Sequence, residues 1–199
     1  LGVCCETEDL KVSRLSKFKR AELNESQQEQ FDRVGKFRKA GDDGQYGGPF
    51  DPWIRSPELA KRAVDFGGYV WERTTLDRGI VELAIIITAR YWRSNVEWAA
   101  HAAAARTYGI SEEVIDSVFN QKRPVDSSEE ILATYDFCSV LHETKDVPKE
   151  IYDQAVTVFG EQGVVEMIAT IGYYTMVSMT LNTFDIGVGP GVETPFPRD

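Results

Sequence analysis

The segment Arg78-Gly-Ile-Val-Glu-Leu-Ala-Ile-Ile-Ile-Thr-Ala-Arg-Tyr-Trp-Arg-Ser-Asn-Val-Glu-Trp-Ala-Ala-His101 opens with an apolar run, Ile80, Val81, Leu83, Ala84, Ile85, Ile86 and Ile87, broken only by Glu82. A helix that is apolar on most sides belongs at the centre of a bundle. Ser94 or Asn95 is placed to cap a following helix, which runs through His101 and Ala102–Ala105 to Tyr108, with Gly109 as its stop. The β-branched stretch Ile85–Thr88 resembles a buried strand in isolation. No alternating run with hairpin signals accompanies it, so the pattern predicts an all-α protein.

The flanking sequence repeats that logic. Ser56-Pro-Glu-Leu supplies a cap, a proline at the first helical position and an acid in the first turn, opening a helix to about Arg73. Ser111-Glu-Glu-Val, Ser128-Glu-Glu-Ile and Pro148-Lys-Glu-Ile open three more, the last ending near Gly160, and residues 161–185 are long and apolar. Towards the N-terminus, Phe31, Val34 and Phe37 predict an amphipathic helix over 26–40. The Gly/Pro-rich stretch 41–55 then reads as an irregular connection whose Tyr46, Phe50, Trp53 and Arg55 either wall a pocket or pin the loop to the core. Three regions result: a polar N-terminal arm (1–25), a helical domain (26–186) and an extended tail (187–199). A weak internal repeat sets Glu82 and Ser94 against Glu166 and Ser178, each serine twelve residues beyond its glutamate. This predicts a two-fold arrangement of helical hairpins packed face to face.

With 199 residues and 42% hydrophobic content the chain can bury a single core. A formal charge of -10 argues against nucleic acid or an anionic membrane surface as partner. No uninterrupted apolar run reaches bilayer length, so no membrane span and a cytoplasmic location are expected. Cys4, Cys5 and Cys138 form no disulfide framework, and Cys138 reads as a small buried hydrophobe.

Glu97 and His101 are four residues apart on one helical face, with Ser94 one turn earlier. Such a pair is either a structural ion pair or an acid/base set, because a carboxylate orients an imidazole and favours its protonated form. Glu82 is costly to bury unpartnered and is therefore expected to face that pair across a hairpin. With no second histidine nearby, neither a metal nor another cofactor is predicted, and His142 is placed at the surface near a helix end.

Glu82, Ser94, Glu97 and His101 stand at the spacing Glu-x11-Cys-x2-Cys-x3-His, which is similar to the alkylhydroperoxidase D branch of the carboxymuconolactone decarboxylase superfamily, with both cysteines replaced. Ser94-Asn-Val-Glu-Trp-Ala-Ala-His101 resembles the decarboxylase branch, although Val96 stands where that branch has a histidine. The likeness spans roughly residues 48–186 and implies an AhpD-like helical bundle. It also implies a homo-oligomer, a trimer or hexamer, and a cofactor-free proton-transfer enzyme acting on a small carboxylated lactone or oxygenated ring. An isomerase or cyclase, or a non-catalytic binding or scaffold protein, is the alternative. In the implied mechanism His101, oriented by Glu97, moves the proton, Glu82 holds a second proton or positions the imidazole, and Ser94 binds substrate. Trp98, Tyr91, Trp53 and Tyr173 form walls, while Arg55 or Arg90 pairs with a substrate carboxylate. Thiol peroxidase chemistry is disfavoured, because neither Ser94 nor Glu97 can form a disulfide.

Overall fold

The computed structural model describes residues 13–189 and 191–197. Among them are eight α-helices and no strand: α1 (Glu25–Val34), α2 (Phe50–Ile54), α3 (Pro57–Glu72), α4 (Arg78–Tyr91), α5 (Asn95–Thr107), α6 (Glu112–Phe119), α7 (Glu129–Thr144) and α8 (Lys149–Thr183). The all-α class and the bundle architecture are as the sequence predicts.

Helix α4 is the axis. Every residue from Gly79 to Ala89 is buried, and α5, α7 and α8 pack around it. Local chemistry sets the helix starts. Asp77 accepts from Gly79 N at 2.8 Å, and the Ser111 and Ser128 hydroxyls accept from the amides of Val114 and Ile131. Pro57 opens α3 as expected, but the Ser56 side chain makes no capping bond. Gly160, at φ +70° and ψ 169°, interrupts α8, a conformation that glycine tolerates and L side chains resist. Glu166 and Ser178 both lie in the uninterrupted part of α8, whereas Glu82 and Ser94 are separated by the α4–α5 turn.

Length and composition alone would let α8 cross a bilayer, but its apolar residues Val164, Met167, Ile171, Val177 and Leu181 are buried in the core.

Three details differ from the sequence reading. The helix expected over 26–40 stops at Val34, since Phe37 turns out to solvent and meets only the edge of Phe50. The connection 41–55 contains the short helix α2, which carries Trp53 and Ile54 into the interior. The described part of the N-terminal arm is seated on the fold. Leu23 joins Val34, Tyr46 and Ile54 in a small satellite core, Phe18 packs against it, and Ser13 and Arg14 bond the carbonyls of Phe184 and Thr183. Scattered apolar residues in a polar stretch hid that anchor. The described part of the tail is non-helical, yet Phe196 is buried against Trp98 and Phe119, with its backbone held by both ends of the Asn95 amide.

Candidate active site

The α4–α5 turn brings one turn of each helix together. Glu82 projects from α4 and His101 from α5: His101 Nδ1 lies 2.7 Å from Glu82 Oε2, and Nε2 lies 3.3 Å from Glu97 Oε2. Both ring nitrogens face carboxylates, so only the imidazolium can donate to both. Burial pushes the His101 pKa down, but the two carboxylates outweigh it and the pKa is raised to about 9. The imidazole is therefore proton-loaded at neutral pH.

A second cation completes the cluster. Arg78, one turn before Glu82, pairs with the other Glu82 oxygen, donates to the Trp71 carbonyl at 3.0 Å and lies 3.4 Å from the centre of the Trp71 ring. Two carboxylates are thus balanced by an imidazolium and a guanidinium, which is what makes burial of Glu82 tolerable. Tyr174 meets the imidazole edge-on at 4.9 Å, and Trp71 does so at 6.1 Å. Burial first, and then the nearby Glu97 and Glu82, hold the Tyr174 phenol well above its usual pKa, so it remains a neutral hydroxyl.

Side-chain exposure is 0% at Glu82, 8% at Glu97 and 12% at His101, while Trp71 is 42% exposed as a residue. Trp71 is the outermost wall. Trp71 sits in the last turn of α3, and the loop that follows is tied down by Glu166, whose carboxylate accepts from Thr75 N (2.6 Å), Thr75 Oγ1 (2.7 Å), Tyr69 (2.9 Å) and Gln162 (3.0 Å). Burial acts to raise the Glu166 pKa, yet these donors hold it below the ordinary value. Glu166, which the sequence sets against Glu82, thus braces the scaffold.

The remaining residues named from sequence divide. Ser94 is fully buried beside the α4–α5 turn, and its hydroxyl has no hydrogen-bond partner among the described residues. Tyr173 packs on Tyr174, Phe66 and Trp53. Trp53 donates to Thr180 Oγ1 at 3.3 Å. These aromatics form a continuous band behind the imidazole. Trp98 turns instead into the cluster with Phe119 and Phe196. Tyr91 is engaged elsewhere, stacked on His142 at 4.5 Å.

Both arginines expected to meet a substrate carboxylate are committed to structure. Arg55 donates to the carbonyls of Asp51 and Ser16 and covers Phe18, and Arg90 donates to the Phe119 carbonyl at 2.5 Å. His142 corrects the surface expectation. It is buried, contacts Thr88 Oγ1 at 3.0 Å, and is held neutral by burial and by Lys145, with its pKa lowered to about 4. A helix end need not be a molecular surface when α4 lies alongside.

Arg78, Trp71 and Tyr174 were not singled out from sequence. Arg78 carried a readable signal, the four-residue spacing to Glu82. Cys138 is fully buried, and burial raises its thiol pKa far above the usual range. Cys4 and Cys5 lie outside the described residues. Neither nitrogen of His101 is left facing open space for a metal, and among the described residues no group of three His, Cys, Asp or Glu side chains is arranged to hold one.

Residues 57–137 match the model of the carboxymuconolactone decarboxylase family. Among curated proteins no sequence matches the chain. The fold is similar to that of an alkylhydroperoxidase AhpD core, an uncharacterized peroxidase-related protein from Ralstonia eutropha (TM-score 0.71, 16% identity, covering 90% of this chain and 93% of that one). It is similar also to a peroxidase-related protein from a Silicibacter species (TM-score 0.71, 12% identity, covering 96% and 100%). A third similar structure is a cysteine-to-alanine variant of the debrominase Bmp8 in complex with 2,3,4-tribromopyrrole (TM-score 0.65, 12% identity, covering 93% and 95%). The superfamily resemblance and the AhpD-like bundle read from sequence are borne out.

Proposed function

We propose that this chain, which carries the carboxymuconolactone decarboxylase family pattern over residues 57–137 on an AhpD-like fold, is a cofactor-free acid/base enzyme for a small carboxylated lactone or oxygenated ring. The observation that carries the proposal is His101, a nearly enclosed imidazolium held at both nitrogens by Glu82 and Glu97. In the proposed reaction the substrate C–C bond to its carboxylate breaks and CO2 leaves. The electron pair passes into the conjugated ring carbonyl, and His101 then delivers a proton to carbon. Neutral His101 regains its proton from water through Glu97.

The geometry sharpens the roles. Glu82, nearer to the imidazole and locked by Arg78, is the positioning residue. The looser Nε2 contact to Glu97 is the one a substrate can displace. Ser94 Oγ, buried and without a hydrogen-bond partner among the described residues, is the group assigned to substrate once the site opens. Because His101 is nearly enclosed, entry requires Trp71 to swing aside.

That enclosure also favours the second reading, in which the four charges are a structural network in a non-catalytic binding or scaffold protein. Turnover of carboxymuconolactone and related phenolic acids in D2O, followed by mass spectrometry, separates the two. Product one CO2 lighter with a single carbon-bound deuterium is expected. In His101→Ala the rate should fall by roughly 10²–10⁴-fold with the circular dichroism spectrum retained. Undiminished turnover in that variant would sink the proposal.

The proposal includes self-association. Val165, Ile168 and Met179 on α8 stay 65%, 50% and 49% exposed, an apolar stripe suited to a second copy. It includes a cytoplasmic location as well.

A further inference from the structure

Tyr91 and His142 stack where α4, α7 and α8 diverge, and beside them opens a groove of about 350 Å³. Its apolar wall is Trp92, Leu141 and Ile171. Among the described residues, the hydrogen-bond and ring partners of the His101 imidazole are Glu82, Glu97, Trp71 and Tyr174, none of which lines this groove.

The hydrogen bonds assign the His142 tautomer. Thr88 Oγ1 lies 2.9 Å from the Ala84 carbonyl, which can only accept, so the single hydroxyl proton serves that bond. The 3.0 Å contact between Thr88 Oγ1 and His142 Nε2 is therefore donated by the imidazole. Nδ1 is left with its lone pair, and no described residue donates to it. Alongside, Lys145 Nζ donates to the Tyr91 hydroxyl at 2.5 Å and to the His142 carbonyl, which leaves its third N–H available. Lys145 caps α7 at φ +68°, in the left-handed region where glycine is favoured, and its ammonium is placed by the contacts to the Tyr91 hydroxyl and the His142 carbonyl.

We propose that this groove is a second ligand site, for a small hydroxy acid with a flat apolar body. The carboxylate meets the Lys145 ammonium, the hydroxyl donates to His142 Nδ1, and the ring lies against Ile171, Leu141 and Trp92. The volume suits a ligand of that size. On a chain of net charge -10, Lys145 supplies the local positive charge that such an anion needs. Burial and Lys145 keep His142 uncharged, with its pKa lowered to about 4, so the lone pair is available at neutral pH.

Isothermal titration of the full chain with 4-hydroxybenzoate tests the site independently of any turnover at His101. Saturable binding is expected. It should weaken at least about tenfold for 4-methoxybenzoate, which lacks the donor, for the methyl ester, which lacks the charge, and in Lys145→Met, an exchange of an exposed side chain at a helix end. His142→Phe keeps the stack and removes Nδ1, and should weaken binding comparably, while His101→Ala should leave it unchanged. Absence of saturable heat, equal affinity for acid, ether and ester, or loss of binding in His101→Ala with Lys145→Met unaffected would each overturn the proposal.

Discussion

Ser94 illustrates how a single residue separates structural from functional demand. Its hydroxyl is fully buried with no hydrogen-bond partner among the described residues, an arrangement that costs a fold roughly 1–3 kcal/mol. Ser94→Ala should therefore leave thermal stability unchanged or raise it, while increasing KM for the substrate with a smaller effect on kcat. A drop in melting temperature of several degrees would mean that the hydroxyl has a structural partner. His101 works in the opposite sense. Its folded pKa, about 9, lies above the ordinary 6.5, so its contribution to stability is complete below pH 6.5 and is lost as pH rises through 9.

At the scale of the element, packing around the aromatic band behind His101 is close. A methyl group at Gly67 in α3 would collide with the Tyr173 hydroxyl, which is buried and backed by Phe66 and Trp53. Gly67→Ala should destabilise the protein by about 1–3 kcal/mol in urea unfolding, despite the higher helix propensity of alanine. Stabilisation would show that α3 has room to shift. The helices themselves were legible, because caps, Pro57 and apolar periodicity are local signals. The misread stretches failed for a shared reason. Whether Phe37 beyond the end of α1, Leu23 in the arm and Phe196 in the tail are covered depends on distant neighbours, which Leu23 and Phe196 have and the exposed Phe37 lacks, and no periodicity encodes that. Within the site, the convergence of Glu82 and His101 was legible because an isolated carboxylate in an apolar helix demands a partner. Tyr174 and Trp71 come from other helices, and nothing local ties them to His101.

The whole molecule has two regions centred on its only two histidines, each within reach of α4, and their electrostatics are opposite. Beyond them, the exposed apolar stripe on α8 sets an expectation for the assembly. Sedimentation velocity should show a trimer or hexamer, and Ile168→Glu should shift it towards monomer with helicity unchanged. A monomeric wild-type chain would remove the oligomer from the proposal. The central claim, that His101 is a carboxylate-clamped acid loaded at neutral pH, is tested most directly by ¹⁵N NMR titration of the two imidazoles. His101 should titrate with a midpoint near 9 and His142 near 4, leaving both almost still across neutrality. A His101 midpoint close to the ordinary value of about 6.5 would contradict the account.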